Sequence, residues 1–453
     1  MKIFNRVFLV LLFGALVVAP RFAQSGRARG EGADNAETRS AQALFEEANT
    51  YLNKKFKEFD QKKVTYDPKL VVVIEEQQRD LSVKYAAVLQ TRSPLAGDDY
   101  YYLGMLHHLS TNGDGALDSM RKFLSGNPAG EKAQLARAVI VLYTVKKDLI
   151  PEAEAMATAY GENQPQDPKE RYGIEHLLTD AYLRAKNYER MSLHAKRMFA
   201  AAKVVVTTRK LDVFKRDEML LKSATFLAEA FVRLNQPQRA GGAFQELRKF
   251  AVSLPSGNLY KMANMRLATV DPNADFGSIF DEAANSEGRT PPEIVGSKWI
   301  DQQPITLEEL HGQVVLLDFW APWCDPCRFT FPKLQKWHDS YKDKGLVILG
   351  VTNYYGEADG KSLTHEEELD YLRNFKRKNR LPYGFVVADS SVNDMNYGVF
   401  SIPMSFLIDR QGNVRFIATG AGELEIARLG KMIKKLLDES ASGPTAAGAG
   451  AKK

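Results

Sequence analysis

The feature that most constrains this chain is its cysteine usage. Its 453 residues include two cysteines, Cys324 and Cys327, and both lie in one C-x-x-C segment. Two cysteines exclude a disulfide-stapled scaffold, and a bridge between residues three apart closes too short a loop to add much chain-entropy stabilisation. A zinc site would need a second ligand pair, and His107, His108 and His365 do not supply one at metal spacing. The sequence therefore predicts no metal site and favours redox chemistry at the two thiols.

The first 25 residues have the pattern of a secretory signal peptide. Lys2 and Arg6 precede a continuous apolar run over residues 7–19, and small residues follow before residue 26. An apolar run of 13 is shorter than the about 20 residues that a membrane-spanning helix needs. We therefore expect a periplasmic or otherwise exported protein. An uncleaved signal that acts as a membrane anchor is the alternative.

The rest of the chain divides into segments of different composition. Residues 26–40 are small and charged without periodicity, which predicts a flexible linker. Residues 41–280 are helical in pattern, whereas short apolar runs alternate with amphipathic stretches over residues 290–438. Residues 439–453 are of low complexity and are predicted to be a disordered tail. The predicted fold class is multidomain, with an α-helical region followed by an α/β domain.

The helical region contains spacings typical of tetratricopeptide (TPR) repeats. In such repeats small residues let two antiparallel helices approach and aromatic residues fill the gap between them. These units bury their apolar faces only by stacking, which predicts an α-solenoid that binds peptide or protein. An irregular helical bundle, in which the same residues are simply core, is the alternative. The two clearest matches are Tyr100, Leu103, Gly104, Ala116 and Pro128, and then Ala224, Leu227, Ala228, Phe231, Ala240 and Phe244.

The α/β region shows an alternating order of strands and helices. A hairpin turn at residues 410–412 joins its last two strands. The predicted strands are 314–319, 346–351, 385–388, 404–409 and 413–418, and the predicted helices are 328–343, 365–378 and 424–438.

Residues 316–327, LLDFWAPWCDPC, resemble the active-site segment of thioredoxin-fold proteins. The resemblance is strongest to the exported TlpA-like and ResA-like thiol–disulfide oxidoreductases, and it covers about residues 290–438. It implies a thioredoxin fold whose redox group is the disulfide Cys324–Cys327, with no further cofactor. The helical region would then be a TPR-like partner of a redox domain.

The position of each cysteine predicts its role. Cys324 follows a strand and begins a helix, where unpaired backbone N–H groups and the helix dipole lower the thiol pKa and favour a nucleophilic thiolate. Cys327, one turn later, would resolve the mixed disulfide. Asp318 lies in the apolar strand VVLLDF and matches the buried acid of the family, so we expect it to exchange a proton with Cys327. An outward-facing Asp318 that titrates normally is the alternative.

Further residues near the motif are expected to shape the substrate site. Trp323 would cover the disulfide and contact substrate, while Pro326 and Pro332 would fix the helix. The resemblance implies that Pro403 is in the cis form and that the Ile402 backbone pairs with an extended substrate peptide. One departure concerns this platform, because Met404 stands where many relatives have a small polar residue.

The leading interpretation is an exported protein-disulfide reductase whose clients are protein disulfides or dithiols and whose electrons come from an upstream thiol protein. Asp325, between the cysteines, disfavours a thiolate and hence an oxidising role. The net charge of +5 falls to +2 without Lys2, Arg6 and Arg21, which gives no reason to expect nucleic acid. The alternatives are a helical interaction scaffold with an accessory redox domain and, less favoured because Ala321 replaces a threonine, a thiol peroxidase.

Overall fold

The computed structural model describes residues 36–65, 67–92, 94–274 and 290–439. The predicted signal peptide lies outside the described residues, as do most of the predicted linker and of the predicted tail. The chain divides into two compact units, residues 1–208 and residues 209–453. None of the helices in the described residues is both long enough and apolar enough to cross a bilayer.

The described part of the first unit is helical. Several of its helices begin at signals visible in the sequence: Asp67 and Asp167 each precede a proline, and each side chain accepts a hydrogen bond from a backbone N–H of the first turn. The helices are α1 (Ala41–Gln61), α2 (Pro68–Gln90), α3 (Asp98–Leu109), α4 (Gly113–Ser125), α5 (Glu131–Lys146), α6 (Ile150–Glu162), α7 (Pro168–Arg184) and α8 (Tyr188–Thr208).

Each of these helices packs against the next one along the chain. Gly104 lies where α3 meets α4, and a Cβ at that position would be 2.9 Å from Cε of Met120. The small residue thus allows the close approach that the sequence pattern predicted at this position. The expectation of a helical region is confirmed, whereas its assignment as a TPR solenoid stays a prediction.

The second unit begins with three mutually packed helices and continues with an α/β domain. The three helices are α9 (Val213–Arg233), α10 (Pro237–Ser253) and α11 (Gly257–Val270). The strands are β1 (Lys298–Ile300), β2 (Val314–Phe319), β3 (Leu346–Asn353), β4 (Glu357–Ala358), β5 (Lys361–Ser362), β6 (Gly384–Ala388), β7 (Met404–Ile408) and β8 (Val414–Thr419). The remaining helices are α12 (Asp325–Tyr341), α13 (His365–Lys378), α14 (Val392–Asn396) and α15 (Glu423–Asp438).

Six strands of the described residues form one mixed sheet in the order β1-β6-β3-β2-β7-β8. Strands β2, β3 and β6 are parallel, and β1, β7 and β8 run antiparallel to their neighbours. All six residues of β2 are buried, which explains its continuous apolar sequence. The predicted order of an α/β thioredoxin-like domain after a helical region is confirmed.

Strand β8 is the last strand at one end of the sheet, and helices α10 and α11 pack against it. An uncovered edge strand presents unpaired backbone groups to other chains, so folds commonly cover such an edge. The helical segment before the α/β domain therefore packs on that domain and covers one edge of its sheet.

Candidate active site

The two cysteines lie at the start of helix α12 and form a disulfide in the structure. Cys324 is the N-cap residue, and the backbone N–H of Cys327 donates a hydrogen bond to its Sγ over 3.2 Å. Because Cys324 caps the helix, α12 begins at Asp325, three residues before the predicted start at residue 328. Pro326 occupies the first turn, where its missing N–H leaves no intrahelical bond unmade. A thiolate on Cys324 would be stabilised by this N–H and by the positive end of the helix dipole.

The two sulfur-bearing residues differ in access to solvent. Cys327 is completely buried, whereas Cys324 retains 4% of its surface. Trp323 is 57% exposed next to Cys324, and its ring meets the Tyr355 ring edge-to-face with centroids 5.4 Å apart. Cys324, the less buried of the two cysteines, therefore lies beside an exposed aromatic surface.

Asp318 lies on the same face of the sheet as the cysteines. Leu316 and Trp320, each two residues from Asp318, belong to the core cluster that contains Cys324 and Cys327. Alternation along a strand puts the side chain of Asp318 on that face as well. In the sheet register Asp318 stands between Gly350 of β3 and Ser405 of β7.

The Asp318 carboxyl group is almost entirely removed from water. Ser405 Oγ donates a hydrogen bond to its Oδ1 over 2.8 Å, while Oδ2 has no hydrogen-bond partner among the described residues. Burial raises the pKa of Asp318 to about 7, and the bond from Ser405 lowers that pKa only in part. Burial and the nearby charge of Asp318 raise the pKa of Tyr383 well above its usual value. Asp318 is thus a carboxyl group able to hold or release a proton near neutral pH.

The loop before β7 contains a cis peptide bond between Ile402 and Pro403, as the resemblance implied. Ile402 is partly buried and packs against the core cluster of the two cysteines. The carbonyl of Pro403 accepts a hydrogen bond from Gly420, whereas the backbone N–H and C=O of Ile402 have no partner in the described part of the chain. Ile402 therefore offers a free backbone donor and acceptor beside the disulfide.

A second loop is held next to Trp323 by a buried acid that sequence reasoning missed. Glu368 of α13 is fully buried, and its two carboxylate oxygens accept the backbone N–H groups of Tyr355 and Gly356 over 2.8 and 2.9 Å. This bidentate contact fixes the loop that presents Tyr355 to Trp323. This contact could not be predicted from the sequence, because acidic residues are common in the first turn of a helix and Glu368 does not differ from them.

Pro332 lies inside α12 and is exposed, so its effect is on the backbone. A proline there cannot donate to the carbonyl of Arg328. Two residues before Pro332, Thr330 Oγ1 donates to the carbonyl of Cys327 over 2.7 Å. The carbonyl of Arg328 thus lacks the hydrogen bond that it would receive in a regular helix, and the carbonyl of Cys327 receives one from a side chain.

The structure brings Cys324, Cys327 and Ile402 together, because the two cysteines belong to one core cluster and Ile402 packs against it. Ser405 and Gly350 were missed as neighbours of Asp318. The glycine inside the apolar run LVILGV was the available signal for Gly350, since glycine in a strand often marks a close approach. No group of three or more His, Cys, Asp or Glu side chains suited to a metal ion occurs in the described ranges.

Comparison with protein families gives a match to the AhpC/TSA family over residues 289–417. Among characterised proteins, the chain is 28% identical over 176 residues to protein DipZ of Mycobacterium bovis, which covers 38% of this chain and 24% of DipZ. It is 32% identical over 130 residues to the thiol-disulfide oxidoreductase ResA of Oceanobacillus iheyensis, which covers 28% of this chain and 61% of that protein. The chain thus spans less than two thirds of either relative.

Among solved structures, the chain is similar to a putative thiol:disulfide interchange protein DsbE from Chlorobium tepidum. The two are 28% identical, with a TM-score of 0.28, and the match covers 33% of this chain and 95% of the other.

Proposed function

Since residues 290–438 belong to the TlpA/ResA-like family of thioredoxin-fold oxidoreductases, we propose that the whole chain is an exported enzyme that reduces protein disulfides. The observation that carries the proposal is the pair of cysteines at the start of α12, of which Cys324 keeps 4% of its surface exposed and Cys327 none, on the same sheet face as Asp318. This arrangement separates an attacking sulfur from a resolving sulfur and supplies a proton acceptor.

The first step uses the reduced form of the site. The Cys324 thiolate attacks one sulfur of the client disulfide, the client S–S bond breaks, and one client sulfur leaves as a thiolate that takes a proton from solvent. The other client sulfur is then joined to Cys324 in a mixed disulfide. The N–H of Cys327 and the helix dipole favour this reaction because they stabilise the attacking thiolate.

The second step resolves the mixed disulfide. Cys327 gives its proton to Asp318 and attacks the Cys324 sulfur, and the second client sulfur leaves as a thiolate. The site ends as the Cys324–Cys327 disulfide, and the client has gained two electrons and, from solvent, two protons. Asp318 suits this role because its pKa of about 7 lets it accept a proton and release it at neutral pH.

A peptide client fits the site better than a small disulfide does. The unpaired N–H and C=O of Ile402 match the pattern of an extended chain that adds alongside a strand-like segment. Trp323 and Tyr355 add an exposed aromatic surface next to Cys324. A client would be held by backbone pairing at Ile402 and by side-chain contact at Trp323.

The charges next to Cys324 favour the reducing direction. Asp325 is exposed and disfavours the thiolate, while Arg328, whose Nε is 3.9 Å from Asp325 Oδ1, offsets part of that charge. An exposed pair at this distance contributes little, and Arg328 is also held by a bond to the carbonyl of Pro322. Because an exported protein meets an oxidising environment, sustained reduction needs an upstream thiol donor.

The proposal is tested by mixing the reduced protein with insulin and following the appearance of free insulin chains. The wild type is expected to reduce insulin, and Cys324→Ser is expected to be inactive. A reduction potential near that of thioredoxin, about −270 mV, supports a reductase, whereas a value near about −120 mV contradicts it. Export is tested separately by sequencing the N-terminus of the protein from a periplasmic fraction, where cleavage before Gly26 is expected.

A thiol peroxidase is the second candidate, because the matching family model is that of the AhpC/TSA family. Ala321 is fully buried three residues before Cys324 and has no hydroxyl group to bind a peroxide. Steady turnover of hydrogen peroxide by the wild type, lost in Cys324→Ser, would favour this candidate over the reductase.

A further inference from the structure

The segment that leads into the cis-proline is contacted by helices that precede the α/β domain in the chain. We call residues 397–403, which join α14 to β7, the proline loop. Helices α9 and α11 belong to the same compact unit as this loop, although they precede it by more than a hundred residues in the chain. Four separate contacts join these helices to the proline loop and to the residue that follows it.

The first contact is made by the N-terminus of α11. Its first two residues donate backbone hydrogen bonds to the proline loop, Gly257 to the carbonyl of Tyr397 over 2.9 Å and Asn258 to the carbonyl of Gly398 over 2.7 Å. The first N–H groups of a helix have no partner within the helix, so the carbonyls of the proline loop satisfy them. Gly398 has a φ of +57°, and a Cβ there would be 2.8 Å from Ser256 Oγ, so this position requires glycine.

The second contact explains an unusual residue of the sequence. Met404 follows the cis-proline and is buried to 1% exposure. A Cβ on Gly257 would lie 1.9 Å from Met404 Sδ, so the methionine fills the space that this glycine leaves at the helix start. A small polar residue at position 404 would leave a void under α11. Met404, where many relatives have a small polar residue, is therefore explained by the packing of α11 against this position.

The third and fourth contacts reach the residues just before Ile402. Lys261, one turn into α11, donates from Nζ to Ser401 Oγ over 2.9 Å. The ring of Phe214, at the start of α9, stacks on the ring of Phe400 with centroids 4.7 Å apart and planes 11° apart. Phe400 and Ser401 are thus both in contact with the helices, whereas the backbone N–H and C=O of Ile402 have no partner among the described residues.

We infer that helices α9 and α11 form part of the substrate-recognition apparatus, with Lys261 as a positioning residue that fixes Ser401 and thereby the peptide-pairing backbone of Ile402. The inference rests on the proposed function, since it names the residues that set which disulfides the site accepts. The reacting cysteines lie on α12 and Asp318 lies on β2. The four contacts made by α9 and α11 involve neither element. Loosening the loop should therefore weaken binding of a peptide disulfide and leave the reaction with a small disulfide unchanged.

The test compares four proteins, wild type, Lys261→Met, Ser401→Ala and the double variant, in two assays. One follows turnover of insulin with dithiothreitol as the electron donor, and the other follows the single-turnover reaction of the pre-reduced protein with a small aromatic disulfide, dithiobis(nitrobenzoate). Loss of one hydrogen bond from a charged donor predicts a KM for insulin about fivefold higher in each single variant. The value of kcat and the rate with the small disulfide should change less than about twofold. The double variant should be no worse than either single variant, because both remove the same contact. Lys261→Arg, which keeps a charged donor, should restore KM, and Arg266→Met, an exposed change on the same helix, should have no effect.

Equal losses with both disulfides, additive losses in the double variant, or an unchanged KM for insulin would overturn the inference. Amide hydrogen exchange in residues 398–402 provides a readout that does not depend on activity. Faster exchange there in Lys261→Met supports the role of Lys261, and wild-type exchange overturns it. If the proposed function itself is wrong, the result differs: the wild type does not reduce insulin at all.

Discussion

Ser405 on β7 donates its hydroxyl hydrogen bond to Oδ1 of Asp318 on β2 and leaves Oδ2 without a partner among the described residues. The two residues are direct neighbours in the sheet register. One oxygen of the carboxyl group is thus oriented, and the other is left for a proton or for a group that moves during the reaction. Because Oδ2 has no partner among the described residues, Asp318 can accept a proton there without breaking its hydrogen bond to Ser405.

The raised pKa of Asp318 predicts how stability depends on pH. A carboxyl group with a pKa of about 7 in the folded protein and 3.8 when unfolded binds its proton more tightly in the folded state. Its contribution to stability is therefore full below pH 3.8 and is lost as pH rises through 7. Asp318→Asn, which keeps the shape and the acceptor for Ser405, should be more stable than the wild type above pH 7 by roughly 4 kcal/mol. Urea unfolding of both oxidised proteins between pH 5 and 8 measures the difference, and parallel pH profiles would contradict the assignment.

Gly257 is expected to be intolerant of a side chain. The added methyl group of Gly257→Ala would overlap Met404 Sδ, so we expect a loss of about 1–3 kcal/mol in unfolding free energy. Gly242→Ala is the matched control, because a Cβ at this exposed position of α10 meets nothing within 4 Å. The control should gain up to about 1 kcal/mol from helix propensity. Losses from Gly257→Ala and Met404→Ala should be less than additive when combined, and full additivity would argue against the contact.

Trp323 is expected to act on substrate binding and not on folding. Its side chain is 57% exposed, so Trp323→Ala should change the unfolding free energy by less than about 1 kcal/mol. Removing an aromatic contact next to Cys324 should raise KM for insulin about five- to tenfold. Phe329→Ala, which also removes an exposed aromatic ring, at a 77% exposed position of α12, should leave KM unchanged. Equal increases in KM for the two substitutions would show that insulin binding depends on exposed hydrophobic surface in general and not on the position of Trp323.

Glu368 is expected to hold the loop that carries Tyr355. The side chain of Glu368→Gln can accept only one of the two backbone N–H groups of Tyr355 and Gly356, which leaves the other unpaired. We expect a loss of about 1–3 kcal/mol and faster amide exchange at residues 354–356. Glu366→Gln, an exposed change in the same turn of α13, should cost under about 0.5 kcal/mol. If the two variants unfold at the same urea concentration, the bidentate contact does not support the loop.

The sequence allowed the elements around the motif to be predicted because their signals are local. Helix α13 begins at the predicted residue, where Thr364 and Glu367 form a capping box, and the buried run of β2 is the predicted strand. Asp318 was expected to be buried because its neighbours in the strand are apolar and because it matches the buried acid of the family, and it is 1% exposed. Local patterning and backbone propensity suffice for features of this kind.

The packing of α11 on the proline loop was beyond prediction because its partners are far apart in the chain. Gly257 and Met404 are separated by more than a hundred residues, and a glycine at a helix start gives no indication of what lies above it. Met404 was noted only as a departure from a family pattern. Its cause is visible only once the helix start and the residue after the cis-proline are placed side by side.

The most direct test of the redox mechanism uses Cys327→Ser, in which Cys324 is the single remaining thiol of the chain. Reacted with a peptide disulfide and analysed by intact mass and peptide mapping, this variant should carry one half of the peptide bonded to Cys324. The adduct should persist until an added thiol releases it, since no resolving cysteine is present. Cys324→Ser treated in the same way should form little adduct, because Cys327 is completely buried. Absence of an adduct in Cys327→Ser, or a faster adduct in Cys324→Ser, would contradict the assignment of Cys324 as the attacking thiol.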